Sequence, residues 1–251
     1  MNIKKKQPLD EGHNKQVKTY FNNTNNYLNN NANIALRKYI IQSLIGQPVN
    51  SSILDIGCGN GELSLQYSKH NKLDYLDISE NMINIVKSNL NQNQLKANNL
   101  IVGEVLSYDF NKRYDIILCV GVLAHVSSVN SVINKTKNLL KEDGCIIFQF
   151  TNYSNIMGKI LIGYYKMVAS HPNSNLKHSL NKITLKHFIN QIELNNLEID
   201  GVYSYLSLLP GMGRLSKSIR LEYQTKTLKN GFSFFGSEIF IKVVSTKKEK
   251  N

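Results

Sequence analysis

From residue 51 to residue 150, short runs of aliphatic residues alternate with longer stretches of helical periodicity. We expect strands near 52–56, 73–77, 99–102, 114–120 and 144–150. The stretches between them predict helices at 61–70, at 80–92 with Ser79 as the N-cap, and at 129–141. Strands that are separated by crossover helices pair in parallel. The pattern therefore predicts an α/β fold, Rossmann-like and doubly wound around a mostly parallel sheet.

The rest of the chain is expected to extend this core. Residues 1–50 predict an N-terminal helical arm, in which a helix at 34–45 ends before Gln47-Pro48. The alternation stops after residue 150, and an apolar stripe rich in Tyr and Met predicts a helical cap insertion at 151–182. Residues 183–251 complete the core around a second insertion at 204–236, adding strands near 197–203 and 238–244. The expected sheet has seven strands, the last of them antiparallel.

The net charge of +12 is unevenly distributed. The 1–50 arm carries +5, the 51–150 core −1 and residues 151–251 +8. The basic flanks could attract an anionic substrate, nucleic acid or a membrane surface. Alternatively, 34 asparagines beside many lysines indicate a biased composition and a solvated surface.

Several classes of protein are excluded by the apolar pattern and the cysteines. The longest apolar run, from Ile116 to Ala124, is too short to cross a bilayer. No apolar segment follows the charged N-terminus as in a secretory signal, so we expect a cytoplasmic protein. Cys58, Cys119 and Cys145 lie far apart, which predicts buried reduced thiols, without a disulfide or a metal site.

The segment from Asp55 to Glu62 predicts a buried strand that runs into a glycine turn at the start of a helix. Glycines let a ligand approach the backbone closely and tolerate positive φ, which suggests a nucleotide-like ligand. In the dinucleotide fingerprint the third glycine comes one residue later than Gly61. An acid at position 55 would also repel a pyrophosphate. A ligand with a cationic ammonium suits this turn better.

The pattern Asp55-x-Gly57-x-Gly59-x-Gly61 resembles the first motif of class I S-adenosylmethionine-dependent methyltransferases. Leu76–Met82, Val102–Val105, Tyr114–His125 and Leu139–Cys145 resemble later segments of that family, in order and at suitable spacing. The arrangement is similar to the ubiquinone-biosynthesis and magnesium-protoporphyrin types, which act on small molecules. The resemblance implies S-adenosylmethionine as the cofactor.

The resemblance also implies which residues bind that cofactor. Asp77 ends the second strand, where a carboxylate can accept both ribose hydroxyls, whereas Asp74 is expected to point away. Ile78 and Met82 would pack on the adenine, and Glu104 would accept its amino group. The full implied set is Asp55, Gly57, Cys58, Gly59, Gly61, Asp77, Ile78, Met82, Glu104, Val105 and Val120.

The reaction that this resemblance implies is an in-line displacement at a sulfonium, so holding the reactants in position contributes much of the catalysis. A hydroxyl acceptor must also lose its proton, and a histidine suits that task near pH 7. His125 is the candidate base because it follows the fourth strand, at the edge where open α/β sheets bind ligands. Capping a helix or closing the pocket are the alternatives.

Three residues outside the core are candidates for substrate binding. Tyr20 and Tyr27 lie in a segment that resembles the arm covering the substrate in several small-molecule methyltransferases, although simple packing would also explain them. Arg214, with Lys217 and Arg220, could hold an anionic group or form a solvated helix face.

The sequence thus favours methyl transfer to a small molecule, anionic or aromatic, most simply at a hydroxyl oxygen. The alternatives are an RNA or other nucleic-acid methyltransferase and an inactive cofactor-binding partner subunit. The basic charge alone favours nucleic acid. The Asp/Asn-Pro-Pro-aromatic motif of enzymes that methylate base amines is missing, since Cys119-Val120-Gly121-Val122 stands in its place.

Overall fold

The structure is a computed structural model that describes residues 34–169, 181–206, 212 and 215–246. Within these residues the chain forms six α-helices and eight strands. The helices are α1 (Ile34–Ile45), α2 (Glu80–Gln92), α3 (Val129–Asn138), α4 (Ile156–Ala169), α5 (Leu185–Leu194) and α6 (Lys217–Lys226). The strands are β1 (Ser52–Ile56), β2 (Lys72–Asp77), β3 (Asn99–Val102), β4 (Tyr114–Val120), β5 (Leu140–Thr151), β6 (Leu197–Tyr205), β7 (Lys229–Asn230) and β8 (Glu238–Ser245).

All eight strands belong to one sheet, in the order β3-β2-β1-β4-β5-β8-β6-β7. The first five strands in that order pair in parallel. Strand β8 is antiparallel to both of its neighbours, β5 and β6. The first strand, β1, lies in the middle of the sheet. The chain adds β2 and β3 on one side of β1 and then places β4 on its other side, as in a doubly wound fold. The predicted fold class, including the antiparallel last strand, is confirmed.

The structure corrects four details of the predicted elements. The sheet has an eighth strand, because the two-residue β7 pairs with the edge of β6 inside the second predicted insertion. Only a short 3-10 helix, Leu65–Lys69, forms where a helix was expected at 61–70. Helix α3 ends at Asn138, before the expected 141. Strand β5 begins early, at Leu140, and its pairing with β4 has a bulge before Cys145.

Two apolar layers hold the sheet between helices. On one face α1 contributes Ile40 and Ile41, both fully buried. On the other face α3 and α5 contribute Ile133 and Phe188, which are also fully buried. Burying one such side chain stabilises the fold by about 1.5–3 kcal/mol. The layers fix the strands firmly, so the carboxyl ends of β1, β2, β3, β4 and β5 form one well-defined edge.

Helix starts agree with the sequence where a cap was predicted. The Ser79 hydroxyl accepts a hydrogen bond from the backbone N–H of Met82 at 3.4 Å and caps α2. Helix α1 lies within the predicted arm, and α4 within the predicted cap insertion. Among the helices that the structure describes, none is long and apolar enough to span a membrane. The boundaries of the four predicted regions stay predictions.

Candidate active site

The glycine turn that follows β1 is shaped by three residues in the left-handed region. Gly57, Gly59 and Gly61 have φ of 61°, 54° and 76°, which any other residue would adopt only with strain. A Cβ on Gly57 would lie 2.4 Å from Cγ2 of Val122, and one on Gly61 would lie 3.1 Å from Cγ2 of Val86. The turn is therefore packed against its neighbours within the chain and requires glycine. The predicted close approach of a ligand to this backbone stays a prediction.

Asp77, at the end of β2, holds this turn in place. Its carboxylate accepts the backbone N–H of Gly59 and that of Ser79, each at 2.9 Å. Burial raises the pKa of Asp77, and these hydrogen bonds act in the opposite direction. Each carboxylate oxygen keeps further acceptor capacity. The acid predicted to bind a ribose is thus fixed in orientation, close to the glycine turn.

Asp55 lies on β1 directly below the turn and is almost completely buried. It accepts a hydrogen bond from the hydroxyl of Ser64. Burial raises the pKa of Asp55 to about 7; the Ser64 hydrogen bond lowers it and the nearby charge of Asp77 raises it further. This contact braces the segment after the turn. The predicted interaction with a ligand ammonium stays a prediction.

Asp74 is committed elsewhere, as expected. It accepts hydrogen bonds from the Tyr114 hydroxyl at 2.7 Å and from Asn98 and Asn99, and it pairs with Lys112 at 2.8 Å. The hydrogen-bonding capacity of the Asp74 carboxylate is therefore taken up by neighbouring residues of the sheet. Asp77 is left as the acid of β2 at the carboxyl edge.

The residues predicted to meet an adenine follow β2 and β3 at the same edge. Ile78 is partly exposed, whereas Met82 on α2 and Val105 are buried. The Glu104 carboxylate accepts the backbone N–H of Ser107 at 2.8 Å and so stabilises the turn after β3. Burial raises the pKa of the Cys58 thiol well above its usual range. The structure brings these residues together; their contacts with a cofactor stay predictions.

The loop after β4 begins directly after Val120 and carries Gly121 and His125. Val120 is buried at the end of the strand, and His125 is partly buried before α3. The side chain of Asn181 donates to the carbonyl oxygens of Leu123 at 3.1 Å and Val126 at 2.6 Å, on either side of His125. The candidate base is therefore held at the predicted edge by a loop with a fixed shape.

The predicted substrate-binding residues Tyr20, Tyr27 and Arg214 lie outside the described residues. Cys58, Cys119 and Cys145 are free thiols, of which Cys145 is only partly buried. Within the described ranges no cluster of three His, Cys, Asp or Glu side chains could hold a metal ion.

Sequence reasoning missed several residues that shape this edge. Ser64, Val122 and Asn181 gave no signal, because each acts through a contact that no motif encodes. Gln149 and Glu238 did give one, since each is a polar residue in a run of buried strand residues. The Gln149 amide donates to the Glu238 carboxylate across β5 and β8.

Comparisons with known proteins converge on one family. The model of a methyltransferase domain matches residues 48–204. The ubiquinone biosynthesis O-methyltransferase of Coxiella burnetii is 34% identical over 117 residues, which are 46% of this chain and 49% of that protein. The ubiquinone biosynthesis O-methyltransferase of Nitrosomonas europaea is 29% identical over 120 residues, which are 47% of this chain and 51% of that protein. The chain thus spans about half the length of the curated relatives it matches.

Solved structures share the whole architecture at low identity. A SAM-dependent methyltransferase of Thermotoga maritima superposes with a TM-score of 0.68 and 17% identity, covering 92% of this chain and 100% of that one. Magnesium protoporphyrin IX methyltransferase of Synechocystis, with bound SAH, superposes with a TM-score of 0.61 and 13% identity. The match covers 93% of this chain and 99% of that one. These likenesses establish the fold.

Proposed function

The chain belongs to the methyltransferase-domain family, and from this premise we propose that it transfers a methyl group from S-adenosylmethionine to a hydroxyl oxygen of a small molecule. The class I resemblance predicted from the sequence is confirmed by the family match and the fold. The O-methyltransferase names of the Coxiella and Nitrosomonas relatives support oxygen as the acceptor atom. The comparisons favour neither a nucleic-acid acceptor nor an inactive partner subunit.

The observation that carries the proposal is the glycine turn with two buried carboxylates beside it. Gly57, Gly59 and Gly61 offer bare backbone in the left-handed region, and Asp77 is fixed against Gly59. A nucleoside with ribose hydroxyls and a cationic sulfonium and ammonium fits these groups. A diphosphate fits poorly, because the carboxylate of Asp55 beside the turn would repel it.

In the proposed mechanism the cofactor supplies an electrophilic methyl group, and the residues of this chain position the acceptor and remove its proton. His125 would take the hydroxyl proton on an imidazole nitrogen as the new bond forms. Asn181 keeps the loop that carries His125 in place through Leu123 and Val126. Positioning the two reactants supplies much of the rate acceleration.

The nature of the acceptor and the cellular location belong to the same proposal. We expect an apolar or aromatic acceptor, because Ile156, Ile160 and Met167 of α4, in the predicted cap, expose 48%, 44% and 67% of their surface. The basic flanks of the chain are also compatible with an anionic group on the acceptor. We place the enzyme in the cytoplasm, as expected from the sequence.

Calorimetric binding of S-adenosylhomocysteine tests the cofactor site. Asp77→Ala removes the ribose acceptor and frees Gly59, so we expect a loss of about 1.5–3 kcal/mol, roughly 10- to 150-fold in affinity. Asp109→Ala removes one exposed negative charge elsewhere and should bind like the wild type. Equal affinity of Asp77→Ala and wild type would refute the ribose assignment. Labelled S-adenosylmethionine with 4-propylphenol then tests formation of a methyl ether.

A further inference from the structure

Gln149 is a buried amide at the carboxyl edge that the proposed cofactor site does not use. It lies on β5 between Val120 of β4 and Phe240 of β8, and only 2% of its surface is exposed. Its neighbours Phe148 and Phe150 pack on the α3 and α5 side of the sheet. Because side chains alternate along a strand, Gln149 faces the α1 side.

The orientation of this amide is fixed by its neighbours. Nε2 of Gln149 donates to Oε2 of Glu238, and the Thr151 hydroxyl donates to Oε1 of the same carboxylate at 2.8 Å. The amide nitrogen can only donate, and it is the atom that faces Glu238. The amide oxygen of Gln149 therefore points the other way.

That oxygen has no hydrogen-bond partner in the part of the chain that the structure describes, although it is buried. Leaving a buried acceptor unpaired is unfavourable, and a bound ligand with a donor would remove this cost. The oxygen lies beside Gly121, which is exposed and has φ of 77°. A Cβ on Gly121 would be 3.7 Å from Oε1 of Gln149 and 4.0 Å from Nη1 of Arg37.

The space over Gly121, bordered by these two atoms, is called here the Gly121 opening. It adjoins the proposed cofactor site, because Val122, the next residue, lies against Gly57 of the glycine turn. A methyl acceptor must sit beside the cofactor, in line with the methyl group. The opening presents the side-chain oxygen of Gln149 as an acceptor. A hydroxyl group can donate a hydrogen bond to this oxygen.

We propose that Gln149 binds the methyl acceptor, its side-chain oxygen accepting a hydrogen bond from an alcoholic or phenolic hydroxyl in the Gly121 opening, and that Glu238 positions the amide for this role. The inference rests on the proposed function and specifies the substrate class of that site. A ligand whose polar group has no proton to donate would leave the Gln149 oxygen unpaired and would bind less well.

The test measures binding of 4-propylphenol to the complex of the protein with S-adenosylhomocysteine. Its methyl ether, 4-propylanisole, has the same apolar body but no donor. Gln149→Leu should weaken the phenol about tenfold, leave the anisole within about twofold, and leave S-adenosylhomocysteine binding unchanged. Glu238→Gln, which allows the amide to turn over, should weaken the phenol by a smaller factor.

A charge-swapped pair separates this role from a merely structural one. Gln149→Glu alone sets two carboxylates against each other and should weaken the phenol. With Glu238→Gln added, the new amide at 238 can donate to the carboxylate at 149, whose second oxygen still faces the Gly121 opening. Phenol affinity should then return to within about threefold of wild type. The swapped protein keeps the hydrogen bond and its volume, so it also serves if Gln149→Leu fails to fold.

Four outcomes would overturn the inference while S-adenosylhomocysteine still binds to the wild type. They are no binding of the phenol to wild type, unchanged phenol affinity in Gln149→Leu, equal losses for phenol and anisole, and no recovery in the swapped pair. A loss of S-adenosylhomocysteine affinity in Gln149→Leu would instead make Gln149 a cofactor ligand, which also contradicts it. Failure of wild type to bind S-adenosylhomocysteine would refute the proposed function itself.

Discussion

The cofactor end and the acceptor end of the carboxyl edge are built over very different distances along the chain. At the cofactor end, Asp55 holds Ser64, nine residues away, and Asp77 holds Gly59, eighteen residues away. At the acceptor end, Asn181 holds Leu123, 58 residues away, and Gln149 holds Glu238, 89 residues away. One end is a local structure and the other is assembled from distant segments.

This difference explains how one fold can keep its cofactor while its acceptor changes. A turn and two adjacent strands suffice to fix the glycines and their carboxylates, so the cofactor end survives changes elsewhere. The acceptor end depends on α1, β5, β8 and the segment around residue 181, of which α1 and β8 lie outside the residues 48–204 that the family model matches. Sites that different parts of a fold supply can change independently.

The largest effect is expected at the acceptor end, from His125→Ala. If His125 removes the hydroxyl proton, its loss should lower kcat by a factor of about 100 or more. His125 lies in the loop after β4, whereas the glycine turn follows β1 and Asp77 ends β2, so the affinity for S-adenosylhomocysteine should stay within about twofold. Steady-state kinetics with 4-propylphenol and calorimetry measure the two effects separately.

His187→Ala is the matched control, because His187 is an exposed histidine on α5. It should keep the wild-type rate. A near-normal kcat in His125→Ala would show that positioning alone suffices for this reaction, and His125 would then be a residue of the loop and not a base.

The fold was predictable because its signals are local. Aliphatic runs located the seven long strands within a few residues, and Ser79 marked the start of α2. The errors in the predicted elements arose where tertiary contacts determine the local structure. Strand β7 has two exposed residues and exists only because the edge of β6 is available to it. The residues after Gly61 have a helical pattern. The hydrogen bond from Ser64 to Asp55 and the glycine turn allow only a short 3-10 helix there.

The same reasoning divides the candidate site. Asp55 and the glycines were located because a spacing of a few residues encodes a turn, and Asp77 because the family resemblance implies an acid at the end of the second strand. The structure places them together. No spacing encodes the approach of Gln149 to Gly121 or of Asn181 to the loop around His125, since each needs the complete sheet. A polar residue within a buried strand is the one signal that could have indicated Gln149 and Glu238.

At the cofactor end the next largest effect is expected from Gly57→Ala. The substitution puts a Cβ 2.4 Å from Val122 and forces a left-handed φ on alanine. We expect the free energy of unfolding to fall by about 1–3 kcal/mol and cofactor binding to weaken. Chemical denaturation measures the first change and calorimetry the second.

Gly163→Ala is its control, since a Cβ at Gly163 in α4 would meet no atom within 4 Å. It should be neutral or slightly stabilising. Adding Val122→Ala to Gly57→Ala removes the clash but not the strained φ, so only part of the stability should return. Full stability in Gly57→Ala alone would mean that the turn can relax, contrary to the packed cofactor end described above.

The last expected effect is a pH dependence that belongs to Asp55. Its pKa is raised to about 7, mainly by burial, so between about pH 4 and 7 the folded protein holds a proton that the unfolded chain has released. The contribution of Asp55 to stability therefore falls as the pH rises through this window. Asp55→Asn keeps the acceptor for Ser64 without the buried charge. Thermal unfolding should show the variant close to wild type at pH 5 and more stable at pH 8.

Asp109→Asn, at an exposed position, should instead follow the wild-type curve at every pH. Asp77 is present in both proteins, and its own raised pKa acts in the same direction. Because the two carboxyls interact, the difference between wild type and Asp55→Asn measures the Asp55 carboxyl together with its coupling to Asp77. A difference that does not change with pH would mean that the Asp55 carboxyl is already ionised and compensated at pH 5. The cofactor end would then hold its two carboxylates by hydrogen bonds alone, without the proton on Asp55 that the burial of this carboxyl predicts.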